Sequence, residues 1–491
     1  MIISPITATP ATLDDLERAA RADLAALGYP APGWLAPLDG HAAGTVADVI
    51  IVGGGQSGVT LAAGLKWEGL ADVRVLDSAP AGSEGPWLTF ARMEELRTPK
   101  TQVGNEFNVP NLSVRRWFET RYGVAAWADL PRIPRTDWKA YLDWYAGVFD
   151  ITITSETQVL DVAADGDLIV VTSLCQGTVT RTLARAVVLA TGFDGAGAWR
   201  VPALVSDSLD KSRYDHTNGP VDFARLNGKR VGLLGHGASA FDNAIKALSA
   251  GAASVDLCFR RPRLPRTNPH RAIETPGMMT HYPDLSDTTR WQIARFFRKN
   301  DQPPPVRSFE TAMALPGFRL RPATPWLDVR ETQDAIHVTT PGGVLEFDHL
   351  LLATGMAVDL SARPELKSLS ARIALWGERY TPPDEEADER LARLPYLDAF
   401  YGFLPKQAAD AWVGRVFAFN SASFVSQGPH STSISGHRHA VPRLVRGVLR
   451  RLLLDQEQAI LPALERYASV DLPVADDFEA RLAVLETEAV R

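Results

Sequence analysis

The chain has 491 residues, 45% of them apolar and 22% charged, with a formal net charge of −7. That length allows two to four domains with ample core, while the mixed, mildly acidic charge excludes nucleic acid as the main partner, which needs a basic face. Two cysteines, Cys175 and Cys258, with no C-x-x-C pair, exclude a disulfide framework and a dithiol reductase mechanism.

Met1-Ile2-Ile3-Ser4-Pro5 lacks the basic n-region and apolar core of a signal peptide, and no apolar run approaches the roughly 20 residues that span a bilayer. Cytoplasmic residence is expected. Thr12 is placed to cap a helix with Leu13, Leu16, Ala20, Leu24 and Leu27 at helical spacing, until Gly28, Pro30, Pro32, Gly33 and Pro37 break it. Residues 1–45 are therefore read as an N-terminal extension, expected to pack on the main body, with a lid or a partner helix as the alternatives.

The organising stretch follows. Val49-Ile50-Ile51-Val52 reads as a strand running into Gly53-Gly54-Gly55-Gln56-Ser57-Gly58 and then a helix. Gly53, Gly55 and Gly58 have G-x-G-x-x-G spacing: a sharp turn, close backbone approach to a pyrophosphate, and tight helix–strand packing. The helix N-terminus offers free N–H donors to the phosphates. A second strand, Val73-Arg74-Val75-Leu76, ends on Asp77, where a carboxylate accepts ribose hydroxyls. A loop through Gly85, Pro86 and Trp87 and the segment Leu96-Arg97-Thr98-Pro99-Lys100 come next. Then a helix is expected over residues 138–149, with strands over 157–162, 168–173 and 179–183 and a further one, 186–189, entering Ala190-Thr191-Gly192.

The order then repeats. Arg230-Val231-Gly232-Leu233-Leu234 leads to Gly235-His236-Gly237-Ala238-Ser239-Ala240, a helix over 240–249 and a strand over 255–259. Alanine takes the third glycine's place, which needs only a small residue. This strand ends on Arg260-Arg261, where guanidinium groups suit a 2′-phosphate and favour NADPH over NADH. A meander (326–329, 335–339, 344–347) and the strand 350–352 lead to Ala353-Thr354-Gly355. One copy with an acid and one with arginines implies two different nucleotides. Between the second glycine unit and its meander lies an insertion, residues 264–323, with a helix expected to be capped by Asp287. An acidic run (384–389), a strand (416–420), a polar loop (421–435) and a helix (436–454) follow. A tail from 475 to 491 reads as a short terminal helix.

These motifs resemble those of the class B flavin monooxygenases, which include flavin-containing, N-hydroxylating and Baeyer–Villiger enzymes, over residues 46–454. The resemblance implies an α/β fold of two Rossmann-like dinucleotide-binding domains, each with a three-stranded meander. Residues 46–204 with 350–474 would hold FAD, and residues 205–349 NADPH. Gly53, Gly55, Gln56, Ser57, Gly58, Asp77 and Trp87 would then serve FAD, and Gly235, Gly237, Ser239, Arg260 and Arg261 would serve NADPH. Thr191-Gly192 and Thr354-Gly355 match the family's A-T-G linkers between the domains and would also contact cofactor. Leu96-Arg97-Thr98-Pro99-Lys100 resembles the family's L-x-T-N-x-P-K without its asparagine. Lys100 and Gln102 are candidates for the flavin edge; for Lys100 a solvated surface role is the competing reading. His216 matches the family's linker histidine and is expected to be a hydrogen-bonded linker residue rather than an acid–base catalyst.

The implied reaction is NADPH-dependent insertion of one oxygen atom of O₂ into a small molecule, at nitrogen or another soft heteroatom. Two alternatives stand beside it: an NADPH-dependent FAD oxidoreductase without oxygen insertion, and a non-catalytic redox-sensing flavoprotein. His437-Arg438-His439 lacks neighbours at ligand spacing for a metal. It is read as the start of the last helix, facing the flavin. Whether the chain forms a homo-oligomer stays open.

Overall fold

The structure is a computed structural model that describes residues 10–38, 41–42, 44–101, 104–471, 478, 481–483 and 485. Residues 1–449 form one compact unit, and residues 450–491 a second, small one. In the second, the helix Glu457–Glu465 exposes Ile460, Leu461 and Leu464. Most of the expected terminal helix lies outside the described residues.

Two parallel sheets carry the repeat read from the sequence. In the first, Val46–Val52 lies between Val73–Leu76 and the long strand Thr178–Gly192, parallel to both. Its apolar run is buried on both faces, as a central parallel strand requires. Helix Gln56–Trp67 covers it, with every residue from Val59 to Leu65 buried. In the second sheet, Arg230–Leu234 lies parallel between Ser254–Cys258 and His349–Leu352, covered by helix Ala238–Ser249. Each sheet thus has a glycine turn at the carboxyl end of its central strand, the position where open α/β sheets take ligands.

The two meanders differ. Asp328–Glu331, Ile336–Thr340 and Gly343–Phe347 form a separate three-stranded sheet. In the first half, the strands expected over 179–183 and 186–189 are one continuous strand of 15 residues. Its first part pairs antiparallel with Leu168–Cys175 and its second runs parallel to Val46–Val52, so the meander joins the main sheet.

Three parallel edge strands escaped sequence reading: Ile153–Thr154 beside Val73–Leu76, Tyr214–His216 beside His349–Leu352, and Phe318–Arg321 beside Ser254–Cys258. The last lies inside the 264–323 insertion, which is therefore mostly the crossover between two parallel strands. Its arginines do not signal a buried strand, but Arg319 and Arg321 both pair with the buried Asp256 of the neighbouring strand. Helix Asp287–Lys299 in this crossover is capped by Ser286, whose hydroxyl accepts from Thr289 N–H at 3.3 Å. The expected cap, Asp287, instead binds Arg290 and Tyr396.

A layer of helices stands beside the first sheet. Thr12 caps Leu13–Ala26 through a capping box with Asp15, and Leu16, Ala20 and Leu24 pack against Trp117, Tyr141, Tyr145 and Phe149. The extension is thus part of the body. Lys139 and Glu84 form an ion pair of 3.0 Å in which both side chains are only 5% exposed. Burial opposes ionisation of Glu84, but the Lys139 ammonium and the Gly82 N–H outweigh it and hold the carboxyl below its usual range. A carboxyl with a depressed native pKa adds stability above its unfolded pKa and loses it as pH falls through the native one. Glu84→Gln should cost about 3 kcal/mol near neutrality. In urea titrations the gap to the parent protein should close below about pH 4.

Candidate functional site

Each glycine turn closes on the Ala-Thr-Gly turn of its own half. Gly53 has φ +108° and Gly235 φ +135°, a region that disfavours any side chain. A Cβ on Gly53 would lie 2.5 Å from the Ala190 carbonyl oxygen, and one on Gly235 would lie 2.4 Å from that of Ala353. The two motifs of each half are therefore a single structural device. Gly58 has no room either, since a Cβ would meet the Gly53 carbonyl oxygen at 1.9 Å, whereas Ala240 fits fully buried at the matching place in the second half.

Around the first turn, Asp77 accepts from Gly54 N–H at 2.6 Å and from Ala79 N–H at 2.7 Å. Burial raises its pKa despite these bonds. It keeps lone pairs beyond those two donors. The Gly55 and Gly85 backbones face each other closely enough that a Cβ on Gly55 would touch Gly85 Cα at 3.4 Å. Trp87 sits beside Gly85, its buried indole N–H lacking an acceptor. Asn105, 1% exposed, likewise leaves both amide atoms without partners among the described residues. Glycine backbones that nothing else could replace, an unspent buried indole N–H and one acid suit a dinucleotide, and FAD needs no basic side chain there. Thr191 accepts from the Asn420 amide at 3.0 Å, which also reaches the Leu189 carbonyl at 3.1 Å. Asn420 thus ties the last strand to the first Ala-Thr-Gly turn, whose Gly192 has φ +65°.

At the second turn lies a cavity of about 1570 Å³ lined by Gly235, Gly237, Arg260, Thr354 and Gly355. Nine Arg or Lys side chains line it against five carboxylates, so it favours anions. Arg97 and Arg132, the proline run 303–305 and the tip of the crossover at Asp301 complete its walls. No residue of the first turn lines it. This room and charge fit a nicotinamide dinucleotide phosphate.

The remaining sequence-chosen residues are placed as follows. Arg260 faces the cavity with no carboxylate partner among the described residues. Arg261 does not share that freedom: Asp301 holds it at 2.7 Å, and the Lys299 carbonyl accepts from it at 3.0 Å. Ser239 turns its hydroxyl to Thr217, 3.1 Å away. Thr354 donates to the Arg200 carbonyl, while Arg200 N–H donates to the Gly355 carbonyl at 2.8 Å. Lys100 gives its ammonium to the Trp127 and Ala128 carbonyls at the end of helix Val124–Asp129 and lies 5.1 Å from the Trp127 ring centre. Its ammonium is thus held by helix-end carbonyls rather than left to solvent. Gln102 lies outside the described residues.

His216 is buried on the short strand Tyr214–His216, stacked on Trp199 at 5.2 Å, and its Nδ1 accepts from Asn218 N–H. Burial pulls its pKa down to about 4, so it is neutral at pH 7 and hydrogen-bonded in the linker. The two final histidines part company: His439 pairs with Thr280 at 2.7 Å, and His437 reaches Gln56 and Ser57. Sequence reasoning had no signal for that second contact beyond a histidine at the start of a helix.

A family model described as pyridine nucleotide-disulphide oxidoreductase matches residues 50–276, although both cysteines here are free thiols, Cys258 buried and pushed up to about 11 by that burial. An ornithine hydroxylase from Pseudomonas aeruginosa superposes with a TM-score of 0.65 at 18% identity, over 83% of this chain and all of that one. An ornithine N-hydroxylase from a Kutzneria species, solved with reduced FAD, NADP⁺ and L-ornithine, gives 0.63 at 16% identity, over 83% and 99%. At these identities the likeness is one of fold: two Rossmann-like halves. A FAD-dependent urate hydroxylase from Xanthomonas campestris pv. campestris is 41% identical over 458 residues, 93% of this chain and 96% of that protein. The chain therefore belongs to the family of that FAD-dependent hydroxylase, and is a flavin-dependent monooxygenase, an oxidoreductase that places one oxygen atom of O₂ on a small molecule.

Proposed function

We propose that this enzyme hydroxylates urate or a closely related anionic purine, with FAD at the Gly53–Gly58 turn and NADPH at the Gly235–Ala240 turn. The observation that carries the substrate is the 41% identity to the urate hydroxylase across nearly the whole chain. The excess of basic groups around the large cavity supports it, because urate and NADPH are both anions.

When bound, FAD supplies the hydride-accepting and oxygen-activating chemistry. The chain's own residues bind and orient. Backbone N–H groups of the first turn face the pyrophosphate, and the free lone pairs of Asp77 accept ribose hydroxyls. Gly235 and Gly237 admit the second pyrophosphate, and Arg260 meets the 2′-phosphate. Trp87, buried beside Gly85 with an unpartnered indole N–H, would turn that donor to bound FAD and keep bulk water from it. No helix among the described residues is long and apolar enough to cross a membrane, and the cytoplasm is the compartment this reading assigns.

The test is a substrate panel of urate, xanthine, ornithine, lysine and cadaverine, following NADPH oxidation, peroxide and product mass. Urate should give NADPH consumption matched to a product one oxygen atom heavier. Coupled turnover on an amine with urate silent would move the assignment to N-hydroxylation. Peroxide release without product on every compound would favour the oxidase.

A further inference from the structure

His437 links the last long helix to the first glycine turn. Its ring is fully buried, with Nδ1 2.9 Å from Gln56 Nε2 and Nε2 3.0 Å from Ser57 Oγ. Trp138 closes the other end, its Nε1 3.1 Å from Gln56 Oε1. The direction of every proton in this chain follows from what each group is able to do. An indole N–H only donates, so the amide oxygen of Gln56 faces Trp138 and its NH₂ faces His437. An amide NH₂ only donates, so Nδ1 of His437 is a bare acceptor. Burial lowers the imidazole's pKa to about 3, so the ring is neutral and its single proton sits on Nε2. That proton is given to Ser57 Oγ. The Ser57 hydroxyl proton must then point away from His437, and no described residue accepts it.

The surroundings keep this order. Gly104 lies flush on the helix start: a Cβ there would be 1.9 Å from the Ile434 carbonyl oxygen and 3.5 Å from His437 Cβ. The first turn has no lysine or arginine between Gly53 and Gly58, so neutral donors must meet any anion seated on it.

We propose that His437 is a positioning residue: through the relay Trp138, Gln56, His437, Ser57 it fixes the serine hydroxyl as a donor toward the pyrophosphate seated at the first glycine turn. This rests on the assignment of FAD to that turn. An unrestrained serine hydroxyl turns to whichever acceptor is nearest; here the imidazole leaves it one role.

The experiment uses the full chain stripped of flavin, titrated with FAD, and the phosphorus resonances of the bound pyrophosphate. Ser57→Ala and His437→Phe should each weaken FAD about tenfold, the loss of one hydrogen bond to a charged group. The double variant should be no weaker than the worse single one, because both remove the same unit. His437→Asn, which keeps one acceptor and one donor, should recover most of the affinity. The phosphorus shifts should move in Ser57→Ala and His437→Phe and return in His437→Asn. Unchanged affinity and shifts in Ser57→Ala, or fully additive losses in the double variant, would overturn the relay while leaving FAD at this turn. A parent protein that takes up no FAD would overturn that assignment and the relay together. Should His437→Phe fail to fold, Ser57→Ala and His437→Asn decide alone.

Discussion

Gly53→Ala is expected to yield protein that purifies colourless, while Gly235→Ala yields protein that keeps its flavin but is no longer bleached by NADPH. The two substitutions are the same chemical change in matching places. Each puts a methyl group at a φ above +100° and within 2.5 Å of an alanine carbonyl oxygen, Ala190 or Ala353. The forced backbone alone costs about 1–3 kcal/mol, and the collision adds an overpacking penalty of about 1–3 kcal/mol. Neither neighbour can give way, since both oxygens belong to backbone at the end of a central parallel strand. The damage should stay within one half because each turn closes on its own Ala-Thr-Gly. Flavin absorbance per protein and the rate of NADPH-driven flavin reduction separate the outcomes. Loss of flavin in both variants would show that the halves do not bind independently.

The second large effect concerns nucleotide choice. Arg260→Gln should raise KM for NADPH about 10- to 100-fold while leaving NADH within about threefold, because a charge-assisted bond contributes about 1.5–3 kcal/mol. Arg261→Gln should do much less, since Asp301 and the Lys299 carbonyl already hold that guanidinium. The ratio of kcat/KM for the two nucleotides reads this directly. Equal losses at both arginines would mean that Arg261 leaves Asp301 to meet the phosphate. A loss for NADH as large as that for NADPH would place Arg260 away from the 2′-phosphate.

Some of this molecule is legible one short segment at a time. The strand–glycine–helix units, the acid at Asp77 against the arginines at 260 and 261, and the doubled Ala-Thr-Gly are local patterns. Backbone sterics and side-chain periodicity fix them within about ten residues, whatever surrounds them. Thr12 as a helix cap is of the same kind, and so is the repeat that announced two nucleotide-binding halves.

Other features depend on contacts between distant segments, and there tertiary structure decided. The closure of Gly53 on Ala190 joins residues far apart in sequence, as does that of Gly235 on Ala353. Arg260 and Arg261 are indistinguishable as a dipeptide, yet Asp301 from the crossover takes one and leaves the other facing the cavity. Ser239 is offered by its motif to the second nucleotide, but only the packing shows that its hydroxyl donates to Thr217. Lys100 was taken by carbonyls at a helix end that nothing in its own segment foretold. The arginine-bearing strand Phe318–Arg321 forms because Asp256 waits beside it. His437 reaches the first turn only because the final helix starts there. A motif states which groups are offered; which partner takes each depends on how distant segments pack, and burial then fixes the charge and proton each group retains.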